Sequence, residues 1–346
     1  MVKFIKTMAE VEALTIGADR PFFSATHEEI LSGATTDIYF IKTLEILEKE
    51  GLSDTVVTAE IFSRRGGVFA GIEEVCTLLK DSGVSMWALP VGEKFEPKEV
   101  LIRLEGKYSL FGVYETAILG ILASSCGWAT AASEIREAAG SSPASCFGAR
   151  HLHPAVAPAM ERAALVGGMN SASCVLGAKL YGKEPAGTAP HALILIMGDT
   201  LEAAKAYHKT MPESALRVML VDTFKDEAEE SLRLAKGLEG ALDGVRLDTP
   251  SERGGVSPAL VREVRARLDI AGYGNVAIFV SGGLTPERIR LLKEAGAKSF
   301  GVGSYISGAA AIDMTMDLKE VNGKPIAKRG RIPGKTASTR LVKINF

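Results

Sequence analysis

Two glycine-rich turns, Ser281-Gly282-Gly283 and Gly301-Val302-Gly303-Ser304, lie one helical stretch apart near the end of the chain. Each ends a short apolar run, Val276–Val280 and Ser299–Val302, and Thr285-Pro286-Glu287 follows the first. Glycine lets the backbone approach an anion closely. A helix that opens with a threonine cap and a proline at its first position aims unpaired N–H groups and the positive end of its dipole at the same place. Glycines in such turns often do no more than reverse the chain. Two such turns in tandem, late in a series of strand–helix units, form the phosphate grip of a β/α barrel. Ser281, Gly282, Gly283, Gly301 and Gly303 are therefore expected to hold a phosphate group.

The polar residues beside the other apolar runs make a second set. Phe147-Gly148-Ala149-Arg150-His151-Leu152-His153-Pro154 follows one run and Gly187-Thr188-Ala189-Pro190-His191 precedes another. Asp222-Thr223-Phe224 and Arg246-Leu247-Asp248-Thr249-Pro250 close two more. If those runs are barrel strands, their carboxyl ends converge on one mouth. That mouth would hold an arginine–histidine cluster, two carboxylates and the phosphate turns, which suits a substrate with several anionic groups. Carboxylates repel phosphates unless Mg2+ lies between them, so Asp222 and Asp248 point to a metal-bridged polyphosphate. Blander roles stand beside these. Asp222 fits a helix cap, Arg246 and Asp248 share a strand face and fit a plain ion pair, and His153 before Pro154 fits a helix entry. His191, at the start of an expected strand, fits a satisfied structural histidine as well as a functional one.

The elements that would position these residues alternate along the second half of the chain. Short apolar strands are expected at 145–149, 168–174, 192–197, 216–221, 244–247, 276–280 and 299–302, with helices at 155–166, 200–210, 225–239 and 257–270 between them. Alternation of this kind argues for a parallel sheet, and about seven units argue for a closed or nearly closed barrel. The first hundred or so residues read differently. A helix over 43–50, a strand over 54–60, a helix over 69–80 and strands over 84–90 and 100–105 make an α+β sandwich. Past Leu318, Asn322-Gly323 marks a hairpin that is expected to return to this first domain. The fold class is thus α/β: an N-terminal α+β sandwich, 1–114 with 318–346, and an irregular, about seven-stranded β/α barrel at 115–317.

Composition excludes several classes. A chain of 346 residues with 47% hydrophobic and 24% charged residues is an ordinary soluble globular protein. Its formal net charge of −2 offers no footprint for nucleic acid or an anionic membrane. The four cysteines, Cys76, Cys126, Cys146 and Cys174, show no Cys-x-x-Cys spacing, so reduced thiols in a cytoplasmic protein are expected. The opening Met1–Glu10 lacks the apolar core of a signal peptide. The uncharged stretch 116–133 reaches the lower length of a membrane span, but its serines, Cys126 and Gly127 favour a helix buried in the protein.

Taken in order, these motifs resemble the nicotinate phosphoribosyltransferases, type II phosphoribosyltransferases, through nearly the whole chain. The resemblance is carried by Thr36-Asp37-Ile38-Tyr39, Phe147–Arg150, His153-Pro154, Gly187–Ala192, Val221–Phe224, Val245–Pro250, Phe279–Leu284 and Phe300–Gly303. It implies that nicotinate attacks phosphoribosyl pyrophosphate, carried with Mg2+, to give nicotinate mononucleotide and pyrophosphate. It implies Arg150, Asp222, Asp248 and His191 as catalytic residues. Asp37, Tyr39, Phe147, His151, Thr188, Arg246 and the two glycine turns would bind substrate. Tyr39 and Asp37 would reach a neighbouring subunit's site, so a homodimer or higher homo-oligomer with shared sites is implied. His191 matches the histidine that ATP-coupled members phosphorylate, which leaves ATP coupling open.

Two departures qualify the resemblance. His151 stands where close relatives often carry a second basic residue, which implies a pyrophosphate grip that depends on pH, since histidine is mostly neutral at pH 7. No cysteine follows Cys174, so the metal knuckle that ends some relatives is not expected. The related quinolinate enzyme is the nearest alternative, although it uses a richer set of cations for its dicarboxylate. A non-catalytic nucleotide-binding homologue on the same scaffold is another. A lyase or isomerase using a Schiff-base lysine lacks its lysine at the strand ends.

Overall fold

In a computed structural model of the chain, residues 4–17 and 19–345 are described; Met1, Val2 and Lys3 of the N-terminal stretch, Ala18 and Phe346 lie outside them. The chain divides into two compact units, Met1–Ala129 with Ala310–Phe346, and Thr130–Ala309.

The first unit is built on a six-stranded sheet. Its order is Lys324–Pro325, Met314–Val321, Val56–Ser63, Val100–Lys107, Ser85–Ala88 and Val342–Ile344, each neighbour antiparallel. Ala59, Ile61, Ile102, Leu104, Met86 and Ala88 are fully buried and face a core shared with helices Ile38–Lys49 and Ile72–Leu79. The expected hairpin forms at Asn322-Gly323, where φ values of 48° and 73° give the two left-handed residues that a tight type I′ turn requires. The tail beyond it returns to this unit: Thr336 donates its N–H to the buried Glu60 at 3.0 Å, beside the Arg103–Glu60 ion pair at 2.6 Å.

The helical stretch Gly112–Ala139 is, by length and composition alone, able to cross a membrane, yet 50% of its most apolar window is buried inside the protein. Ile118, Leu122 and Cys126 lie in the first unit's core with no exposed surface. This is the packing of a core helix.

The second unit holds six parallel strands: β1 Ala144–Cys146, β2 Ser171–Ala172, β3 Val218–Leu220, β4 Gly244–Leu247, β5 Ala277–Val280 and β6 Ser299–Val302. Their order in the sheet is β2-β1-β6-β5-β4-β3, all in parallel register. The carboxyl ends therefore share one edge, where Phe147, Ser173, Asp222, Asp248, Ser281 and Gly303 follow their strands. Thr285 caps the helix Pro286–Glu294, accepting from the Arg288 N–H at 3.4 Å, with Pro286 at the first position as its sequence requires.

One expected strand is wrong. Residues 192–197 are not a strand but most of the helix His191–Met197, with Pro190 before it and Gly198, at φ 75°, closing it. A short apolar run does not distinguish strand from helix, and this run is not buried on both faces: Ile196 is 84% exposed. His191 is accordingly a first-turn helical residue rather than the start of a strand. The segment expected as a strand over 168–174 shrinks to β2, two residues long.

Candidate active site

Arg246 is the centre of the polar network at the strand ends. From β4 its Nε donates to Ser281 Oγ at 2.8 Å, its Nη1 to Thr188 Oγ1 at 2.9 Å and its Nη2 to Asp248 Oδ2 at 3.2 Å. Ser281 donates its own hydroxyl to Asp248 Oδ1 at 2.8 Å. The guanidinium also lies over the Phe147 ring, 5.4 Å from its centroid. Arg246 and Asp248 therefore form the ion pair that their spacing allows, and the pair is a node joining the ends of β1, β4 and β5 with the loop at Thr188. Burial lowers the pKa of Arg246 from its ordinary value, while Asp248 and Asp222 raise it. An arginine so placed remains charged.

Asp222 follows β3 and is not a helix cap. The helix Glu227–Gly237 is capped instead by Asp226, which accepts from the N–H groups of Ala228 at 3.0 Å and Glu229 at 3.3 Å. The Asp222 side chain is 1% exposed, and His191 Nε2 lies 3.1 Å from its Oδ1. Its Oδ2 is buried with no hydrogen-bond partner among the described residues. Burial pushes the Asp222 carboxyl above its ordinary range, His191 pulls it down, and Asp248 pushes it further up. A buried carboxylate oxygen without a donor is costly unless a ligand or cation meets it. Among the described residues no cluster of three His, Cys, Asp or Glu groups could hold a metal, and both Asp248 oxygens are engaged by Arg246 and Ser281. Of the two carboxylates, Asp222 is thus the one with an oxygen left to meet a ligand or a cation.

A cavity of about 440 Å3 opens at this edge, lined by Phe147, Arg150, His151, Thr188, Arg246, Asp248 and both glycine turns. Arg150 and His151 sit on the one-turn helix Ala149–His151, with Arg150 Nε 3.4 Å from His151 Nε2. His151 Nδ1 is held 3.0 Å from Ser307 Oγ. The glycines are close-fitting. A Cβ on Gly301 would lie 2.4 Å from the Phe147 ring, and one on Gly303 would lie 2.7 Å from His151 Cε1. Gly282 has φ 89°, and a Cβ there would sit 3.2 Å from Asp248 Oδ1, on the floor of the cavity. Gly282→Val is expected to weaken the binding of inorganic phosphate at this turn beyond detection in a calorimeter, since a φ of 89° is strained for valine and its side chain would crowd Asp248. Wild-type affinity in that variant would remove the turn from the binding site.

The remaining expected residues belong to the other compact unit or take plainer roles. Asp37 and Tyr39 are in that other unit. Asp37 precedes helix Ile38–Lys49 and exchanges two hydrogen bonds with Thr116 Oγ1, each 3.0 Å; Tyr39 is 56% exposed and packs on Phe40. His153 enters a helix, its Nδ1 accepting the Ala155 N–H at 3.2 Å. Sequence reasoning missed Ser173 and Cys174, which line the cavity. They follow β2, and only the overlong strand drawn through Cys174 hid them.

A second cavity of about 390 Å3 shares Phe147, Thr188, Arg246 and Gly301 with the first. Its other walls come from the strand starts, including Pro143, Asn170, Leu216 and Lys298. Phe147 and Arg246 are therefore the partition between the two.

Comparison with known proteins fits this arrangement. The quinolinate phosphoribosyl transferase N-terminal domain matches residues 37–126 and the C-terminal domain of the same enzyme matches residues 128–317. A nicotinate phosphoribosyltransferase from Bacillus subtilis is 28% identical over 311 residues, covering 78% of this chain and 62% of the relative. The nicotinate phosphoribosyltransferase pncB2 of Mycobacterium tuberculosis is 31% identical over 246 residues, covering 69% and 52%. The chain thus spans between half and two thirds of the length of these curated relatives. The crystal structure of a nicotinate-nucleotide pyrophosphorylase from Pyrococcus furiosus superposes with a TM-score of 0.88 at 44% identity, over 91% of this chain and 82% of that one. With the C-terminal domain alone matching more than half of its residues, this chain belongs to the quinolinate phosphoribosyl transferase family.

Proposed function

We propose that this chain transfers the phosphoribosyl group of phosphoribosyl pyrophosphate to nicotinate. The pyridine nitrogen attacks the anomeric carbon, the bond to pyrophosphate oxygen breaks, and pyrophosphate leaves with the electron pair. Nicotinate needs no deprotonation, so no general base is required. The transition state carries oxocarbenium charge, and stabilising it is a matter of placement and electrostatics. Asp222, buried and with an unpartnered oxygen, is the carboxylate suited to that charge and to the ribose hydroxyls. The turns at Ser281–Gly283 and Gly301–Gly303 would take the 5′-phosphate. Phe147, flattened against Arg246, offers a ring for the base. Mg2+ bound to pyrophosphate would supply charge neutralisation, with Asp222 as its protein contact.

The observation that carries nicotinate over a dicarboxylate is how the cavity's cations are used. Arg246 is already paired with Asp248, which leaves Arg150, without a carboxylate partner among the described residues, and His151 to meet the substrate's anions. That inventory suits one carboxylate beside pyrophosphate. The quinolinate reading is favoured by the family domains that match and stays the second reading. Homodimer assembly, with Asp37 and Tyr39 of one protomer serving the other's cavity, belongs to the proposal and rests on the resemblance alone.

The deciding assay offers nicotinate, nicotinamide or quinolinate with phosphoribosyl pyrophosphate and Mg2+, each with and without ATP. Nicotinate mononucleotide from nicotinate is expected. CO2 release from quinolinate would hand the chain to the second reading, and no product from any base would leave a nucleotide-binding homologue. An ATP-dependent rate would give His191, held by Asp222, a part in coupling.

A further inference from the structure

Among the described residues, three glutamates of the second unit are buried: Glu161, Glu227 and Glu230. Two of them are settled locally. Glu230 pairs with Arg233 of its own helix at 2.6 Å. Glu161 accepts from the Ser173 hydroxyl at 2.9 Å and the Cys174 N–H at 2.6 Å, both in one turn. Glu227 is different. It opens the helix Glu227–Gly237, but the cap of that helix is Asp226, so its own side chain is not needed there. It reaches instead to the segment that leaves β4. Its Oε1 accepts from Thr249 Oγ1 at 2.8 Å, and its Oε2 lies 3.6 Å from Arg253 Nη2. Thr249 is itself buried and directly follows Asp248, and Arg253 ends the one-turn helix Ser251–Arg253.

A buried carboxylate is a costly way to fill space unless its acceptors are used. The Glu227 side chain is 3% exposed, while the Arg253 side chain that faces it is 54% exposed. A pair with one partner in water contributes little. The short buried bond from Thr249 is charge-assisted and shielded from water, so it is the stronger of the two. That bond joins two strand–helix connections. Five residues before Glu227, one connection carries Asp222; one residue before Thr249, the other carries Asp248. Backbone pairing of β3 with β4 ends where the Val221 N–H lies 3.4 Å from the Arg246 carbonyl oxygen. Past that point Glu227 supplies the bonds between the two connections.

We propose that Glu227 is a positioning residue: through the Thr249 hydroxyl it braces the end of β4 against the end of β3 and so sets the separation of Asp248 and Asp222. That the hydroxyls of a ribose meet these carboxylates rests on the proposed function; the brace itself does not.

The test is Thr249→Val, which keeps the shape of the side chain and removes its hydroxyl, beside Thr249→Ser, which keeps the hydroxyl. Two probes separate the brace from the glycine turns. Inorganic phosphate needs only the turns, whereas ribose 5-phosphate also brings its hydroxyls to the carboxylates. By calorimetry Thr249→Val should bind ribose 5-phosphate about tenfold more weakly and inorganic phosphate within about twofold of the parent. Thr249→Ser should bind ribose 5-phosphate within about threefold of the parent. The amides of Arg253, Gly254 and Gly255, bonded within the turn after β4, should exchange with deuterium about tenfold faster in Thr249→Val, while those of β5 keep their protection. Parent affinity for ribose 5-phosphate in Thr249→Val, equal weakening of both probes, or a Thr249→Ser variant as weak as Thr249→Val overturns the proposal. If exchange quickens throughout the unit in Thr249→Val, Thr249→Ser decides: parent exchange and parent affinity support the brace, and loss of either overturns it. A parent chain that binds inorganic phosphate but not ribose 5-phosphate would remove the ribose reading of the site. Exchange at Arg253–Gly255 then judges the brace alone, and parent rates there in Thr249→Val overturn it.

Discussion

Replacing Asp222 with asparagine is expected to lower kcat by a factor of about 100 to 1,000 and to leave the protein as stable at pH 8 as before, or more so. The two effects have opposite sign because they come from the same charge. In the folded chain the Asp222 side chain is 1% exposed and its Oδ2 has no partner. Burial is the largest influence on its carboxyl and raises it above the ordinary 3.8. A carboxyl whose folded value lies above its unfolded one contributes its full stability below 3.8 and loses it as pH rises through the folded value. Above that value the ionised group is a burden, and asparagine does not carry it. The side-chain carbonyl of the Asp222→Asn variant still meets His191, so the ring keeps a partner. Thermal melts between pH 4 and 8 should show the variant gaining on the parent as pH rises. A variant that melts lower than the parent at pH 8, or that turns over at the parent rate, would mean that the charge serves the fold rather than the reaction. Both measurements use one protein preparation.

Legibility from sequence divides along the same physical line. β5 and the helix behind Thr285-Pro286 were readable because their ends are marked by residues with few alternatives: glycine at a left-handed turn, threonine as a cap, proline at a first helical position. The hairpin at Asn322-Gly323 was readable for the same reason. Residues 192–197 were misread because an apolar run carries no period by which to tell strand from helix, and what decides it, Pro190 before and Gly198 after, acts at the ends. The site was legible as a set of residue types at strand ends, since parallel strands deliver their carboxyl ends to one edge. Partnerships were not. Nothing in the spacing shows that Ser281 joins Arg246 to Asp248, or that Asp226 takes the cap and releases Asp222. Glu161 has no sequence mark at all: it is one glutamate on the helix Ala157–Val166, and only the fold brings the Ser173 hydroxyl and the Cys174 N–H to it.

Arg246→Ala should be the most damaging single change in the cavity, costing a factor of about 1,000 or more in kcat/KM and about 3 kcal/mol of stability. The loss is compound. Ser281, Thr188 and Asp248 lose their common donor, and Asp248, with its side chain 20% exposed, is left as a half-buried carboxylate without its cation. That exposure keeps the stability cost at the low end of the range for breaking a buried pair. Phe147 also loses the guanidinium it packs against, and with it the partition between the two cavities opens. Arg246→Lys restores a charge but not a planar fork able to reach three acceptors, so it should recover stability more than activity. The decisive arm is the double variant Arg246→Ala with Asp248→Ala. Removing the stranded carboxylate should return most of the lost stability, because the cost lay in leaving it unpaired. Activity should stay lost, because the reaction needs the node itself and not merely its neutrality. If the double variant regains activity along with stability, Arg246 and Asp248 are only a structural pair, and Arg150 and Asp222 handle the substrate's charge without the node.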